Sequence, residues 1–242
     1  MPNNQQLSQI TRLELDFKIM FLDIRSLARA IYQAKTLQNL SLTLTDCYCH
    51  YPCHQNAEEI PPLHSLNSKA LKLIVKGGST MVKDVIQPLN RALRYLSPSE
   101  VDISLGETPM EALYYARGEL FPYGSTIRLH ISTSCDLLEI LAGLVRRCNI
   151  ARCVHFNAPL GYFSANEIET CNWWDFASLR HLRFENCDRL CEEDVKIMAS
   201  NLLLDEADVG LQSLEFISCK NISEDFLLNL GDEVGERLIW SF

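Results

Sequence analysis

The sequence predicts an α/β solenoid: a curved parallel sheet inside, helices outside, about eight strand–helix repeats and a terminal strand. Three observations predict it. A short apolar pattern recurs nine times at near-constant spacing along the 242 residues. Most of the segments between the copies read as amphipathic helices. Two C-terminal segments align residue for residue.

The recurring pattern is apolar-x-x-apolar-x-apolar. Its copies start at Ile10, Leu37, Ser68, Pro98, Gly124, Ala151, Leu179, Leu211 and, in degenerate form, Gly235. Successive starts lie 27, 31, 30, 26, 27, 28, 32 and 24 residues apart. The mean of about 28 falls inside the 20–29 band of leucine-rich repeats. The alternation within each copy marks a short strand with one buried face, because successive side chains of a strand point to opposite sides.

Helical spacing of apolar residues follows several strands: 22–34, 81–93, 110–120, 136–148, 192–203 and 224–234. Ser164 and Ser223 stand where N-caps belong, with acidic residues in the turn after each. A single strand–helix unit cannot hide its own apolar face, whereas stacked units share one core. The expected organisation is one leucine-rich-repeat domain over 1–242, with a polar loop insertion at 45–67. A doubly wound sheet would want longer, more β-branched strands and a glycine-rich first turn, and neither is found.

Composition narrows the function classes. Lys and Arg total 22 against 31 Asp and Glu, a formal charge of −9. Nucleic-acid binders need a basic excess or stripe for phosphate contacts, so DNA and RNA are not expected partners. An anionic membrane surface is disfavoured likewise. The polar opening MPNNQQLSQ lacks the apolar core of a signal peptide. Ten Cys without such a signal point to reduced thiols and a cytoplasmic or nuclear setting.

The two aligned segments, LRHLRFENCDRLCEEDVKIM at 179–198 and LQSLEFISCKNISEDFLLNL at 211–230, both carry L-x-x-L-x-F-x-x-C-x-x-[LI]. This pattern resembles the cysteine-containing leucine-rich repeat of the F-box/leucine-rich-repeat proteins, the substrate receptors of SCF ubiquitin ligases. The resemblance implies a protein-interaction scaffold and not an enzyme, the substrate-recognition part of an SCF-type receptor in ubiquitin-dependent protein degradation. The alternative is a stand-alone leucine-rich-repeat regulator with no ligase role. Cys187 and Cys219 carry the diagnostic cysteine, while Lys18, Thr45, Lys76, Gly106, Ser132 and Pro159 stand at the matching positions upstream. The F-box itself does not occur in this chain, so an SCF adaptor is expected only if one lies outside it. The array starts almost directly on Ile10 and stops on an apolar strand, which is expected of an array cut at one or both ends, the alternative being a last strand whose edge a partner chain covers.

Candidate sites follow from the pattern. The middle x of each strand faces away from the core, and in the later repeats it reads Arg128, His155 and Arg183. His130 and His181 flank this row, and Lys72 holds the same place in an earlier repeat. On an acidic protein this concave-face cluster would take an acidic or phosphorylated protein ligand, unless these residues pair with local acids such as Glu185. Cys47, Cys49, Cys53 and His54 form a candidate zinc knuckle, against the alternative of an irregular loop; no cofactor is expected. Lys76-Gly-Gly-Ser-Thr80 lacks the full phosphate-loop spacing and reads as a glycine turn into a helix. Of Trp173 and Trp174, one ring is expected in the core and the other exposed.

Overall fold

The computed structural model describes residues 9–49, 66–106, 124–203 and 210–242, the side chains of 79–84 and 87 excepted. The chain forms two compact units, Met1–Gly124 and Ser125–Phe242. Each is α/β, with strands of an all-parallel main sheet alternating with helices.

The first unit runs β1 (Arg12–Lys18), β2 (Phe21–Leu22), α1 (Ile24–Gln33), β3 (Asn39–Thr45), β4 (Tyr48–Cys49), β5 (Leu66–Lys76), α2 (Ser79–Leu93) and β6 (Leu96–Leu105). Its main sheet has the order β1-β3-β5-β6. The expected pattern positions meet in register: Leu13 pairs Leu40, Leu40 pairs Leu71, and Leu71 pairs Val101. Leu40, Leu71 and Val101 are buried, because every second side chain points at the helices. The loop expected at 45–67 is shorter. Thr45 still belongs to β3, β4 pairs with β2, and β5 begins at Leu66. The polar composition of the stretch hides these short pairings. The helix expected at 110–120 lies outside the described residues.

The second unit runs β7 (Thr126–Ile131), β8 (Cys135–Asp136), α3 (Leu137–Arg147), β9 (Cys153–Asn157), β10 (Gly161–Tyr162) and α4 (Ala165–Thr170). A 3₁₀ turn (Trp173–Phe176), β11 (His181–Glu185), α5 (Glu192–Leu203), β12 (Ser213–Ile217), α6 (Glu224–Val234) and β13 (Leu238–Ser241) complete it. The sheet order is β7-β9-β11-β12-β13. Register again follows the pattern: Ile127, Val154, Leu182, Leu214 and Leu238 pair in succession. The next inward column is Leu129, Phe156, Phe184, Phe216 and Trp240. Phe156, Phe184 and Phe216 stack near-parallel, with centroids 5.6 and 5.5 Å apart, and all three are fully buried. Burying each ring is worth about 1.5–3 kcal/mol.

Three devices repeat from strand to strand. The carbonyl of the residue leading into a strand accepts two amides of the next: Ser125 O from Arg152 and Cys153, Arg152 O from Arg180 and His181, Arg180 O from Gln212 and Ser213. Arginines at that position also hold loop carbonyls. Arg180 Nη1 donates to Ala177 O, Leu179 O and Gly210 O; Arg152 Nη1 does so to Asn149 O, Ala151 O and Ser178 O; Arg237 reaches Leu211 O and Leu203 O. These guanidiniums satisfy carbonyls that the helix-to-strand turns leave without partners.

Helix caps link neighbours in the same way. Asp136 caps α3 through Leu138 N and Glu139 N, and its second oxygen accepts Ser164 N at 3.1 Å. Ser164 and Ser223 cap α4 and α6 as their positions predict. Among the described residues no helix is long and apolar enough to cross a membrane.

Candidate functional site

The second unit presents a polar sheet face opposite its core. Alternation places Arg128, His155, Arg183 and Glu215 in one register row, in agreement with the strand pattern. His181 and Ser213 are paired on one side of it, and His130, Asn157, Glu185 and Ile217 stand in line on the other. Most of these side chains are half-buried; His181 is exposed and Ser213 buried. Lys72 belongs to the first unit, on β5 between Ser41 and Asp102. The structure therefore gathers five of the six basic face residues in the second unit.

The basic row is interleaved with acids. Glu185 Oε2 takes His155 Nε2 at 2.8 Å and Arg183 Nη2 at 3.2 Å. Arg183 Nη1 lies 3.8 Å from Glu215 Oε2. Ser213 Oγ donates to Glu215 Oε1 at 3.1 Å, which assigns the 2.9 Å bond from His181 Nδ1 to Ser213 Oγ to a donating imidazole. Hydrogen bonds link His181 through Ser213 to Glu215, and Arg183 and His155 to Glu185, and a 3.8 Å ion pair between Arg183 and Glu215 joins the two groups. The serine proton points at a carboxylate, opposite to the direction a histidine-activated nucleophile needs.

Burial, aided by the Arg183 guanidinium, holds His155 below its usual value, against the pull of Glu185 in the other direction. His155 is therefore neutral at pH 7 and donates its Nε2 proton to Glu185. The His130 and His155 rings meet edge-on at 6.4 Å. For His155 and Arg183, the pairing with Glu185 expected as the alternative is the arrangement found.

The cysteine positions carry a second recurring geometry. Cys187 donates to Glu185 O at 3.4 Å and reaches Phe156 O on the neighbouring strand at 4.0 Å. Cys219 does the same with Ile217 O at 3.5 Å and Phe184 O at 3.6 Å. Hydrogen bonding with Cys219, together with burial, pushes the Cys187 thiol well above its ordinary range.

Cys47 belongs to this set, although the pattern names Thr45 there. Its thiol takes Thr45 O at 3.5 Å and Phe17 O on the neighbouring strand at 3.3 Å. The residue before each of the three cysteines turns into the left-handed region: Asp46, Asn186 and Ser218, with φ of 49°, 52° and 52°. β3 is two residues longer than β11, which displaces the cysteine in sequence but not in place. The shared signal is Asp, Asn or Ser before Cys, residues that tolerate or approach that conformation.

Cys47 is buried and engaged with carbonyls, and Cys49 lies in β4. Cys53 and His54 lie outside the described residues. Among the described residues no three His, Cys, Asp or Glu side chains gather as a metal site. At the 76–80 turn Gly77 has φ +140°, and a Cβ there would stand 2.9 Å from Asp46 Oδ1. A neighbouring strand turn, carrying a carboxylate, explains that glycine. Trp174 is 75% exposed, as expected of one ring of the pair, whereas Trp173 is half-buried and not in the core, packing on Phe176 at 6.0 Å.

The fold is α/β, with a parallel sheet alternating with helices, and in the second unit the sheet face opposite the core is polar. The chain matches no known protein family and no curated protein.

Proposed function

We propose that the chain is a leucine-rich-repeat solenoid of the cysteine-containing type and acts as a protein-interaction scaffold, the substrate-recognition part of an SCF-type ubiquitin ligase receptor. One observation carries this reading: the thiol of a cysteine after the strand bridges two carbonyls in the same way at Cys47, Cys187 and Cys219. A small, weakly donating, apolar side chain suits that buried turn, so the cysteine serves the stacking of repeats and not a reaction. The polar faces of the strands are left for a partner. They are rigid, since strands hold them and hydrogen bonds fix their rotamers, which lowers the entropy cost of binding.

Co-purification of the complete gene product with the SCF adaptor tests the ligase role. Stoichiometric adaptor is the expected result. Its absence rejects the ligase role and leaves the stand-alone regulator. The acidic or phosphorylated ligand expected from the basic row has less support, because Glu185 and Glu215 already face Arg183.

A further inference from the structure

Asn157 lies on β9 in register between His130 of β7 and Glu185 of β11. It is half-buried, and its carboxamide makes no hydrogen bond among the described residues. Every charged neighbour on β11 and β12 is by contrast engaged: Arg183 with Glu185 and Glu215, Glu185 also with His155. Two strands further on the face turns apolar. Ile217 is half-buried, and Ile239, beside Glu215 on β13, is 44% exposed.

We propose that this face binds an uncharged, extended peptide segment of a partner protein, gripped by Asn157 and anchored by an aliphatic side chain on Ile217 and Ile239. The inference rests on the scaffold reading above and names the ligand class of that same face. A carboxamide offers one acceptor and two donors, the complement of a peptide group's N–H and C=O. Left against a partner without such a mate, it loses water and gains nothing. Arg183 meets two carboxylates and His155 is neutral, so this part of the face has its charge balanced and gives a phosphate no advantage. The spacing sets a register. From β9 to β12 and β13 is two and three strand separations of about 4.8 Å each, and an extended peptide rises about 3.3 Å per residue. The aliphatic anchor therefore lies about three to four residues from the gripped peptide group.

A random dodecapeptide display library selected on the full chain tests this, with affinities of synthesised winners measured by fluorescence polarisation. The expected winners are uncharged at their core and share an aliphatic residue at that fixed spacing. Asn157→Val and Ile239→Glu each weaken them about tenfold or more, with circular dichroism unchanged. Arg128→Glu leaves them within about twofold. Enrichment of acidic peptides sensitive to Arg128→Glu overturns the proposal in favour of an anion site. Winners indifferent to Asn157→Val and Ile239→Glu, or no winners, overturn it as well. None of these outcomes bears on adaptor co-purification, so the two readings fail separately.

Discussion

The phenylalanine column of the second unit makes a quantitative test of how neighbouring strands support one another. Phe184 stacks on Phe156 at 5.6 Å and on Phe216 at 5.5 Å, and Phe163 meets it edge-on at 5.6 Å. Truncating a fully buried Phe to Ala costs about 3–5 kcal/mol from lost transfer energy and the cavity left behind. An aromatic pair adds about 0.5–1.5 kcal/mol beyond its area. Phe184→Ala breaks three such pairs and should sit at the top of that range or above it. Phe156→Ala and Phe216→Ala each break one stack and should cost less. Double-mutant cycles by urea denaturation separate the contributions. Phe156/Phe184 and Phe184/Phe216 should each couple by about 1 kcal/mol. Phe156 and Phe216 lie two rungs apart and should add to within about 0.5 kcal/mol. A coupling across two rungs as large as that between neighbours would refute nearest-neighbour stacking as the source of stability.

Three further outcomes follow from the same geometry. His155 has a lowered native pKa, so the unfolded chain takes up its proton first as pH falls below its usual value of 6.5. Its contribution is complete above that pH and is lost on acidification until the native ring also protonates; His155→Gln should flatten this slope in denaturation from pH 7 to 5. Asp136→Ala removes a cap with two bonds to α3 and one to Ser164, and should cost about 1–2 kcal/mol, with Asp136→Asn recovering most of it in thermal melts. Arg180→Ala strips three carbonyls of their shared donor and should cost about 1.5–3 kcal/mol, whereas Arg189→Ala, outside the carbonyl-clamp positions, should cost under about 0.5 kcal/mol in the same denaturation.

The strand pattern alone sets which residues face the core and which stand side by side. Leu182 opposite Val154 and Leu214, and Arg183 opposite His155 and Glu215, both follow from counting residues between copies. This works because side chains alternate with period two, and a slip by one residue would turn every apolar side chain to solvent. The caps Ser164 and Ser223 are equally legible, since their signal is local. Tertiary structure decided the rest. Cys47 takes the place after β3 that Cys187 takes after β11 only because β3 runs two residues further, a length the pattern does not encode. The arginine bridges join carbonyls from separate turns, and no spacing rule marks them in advance. Row membership likewise showed that Arg183 lies near Glu185 and Glu215. Only the rotamers bring one carboxylate oxygen to both His155 and Arg183, and so turn an expected basic patch into a balanced network with Asn157 open beside it.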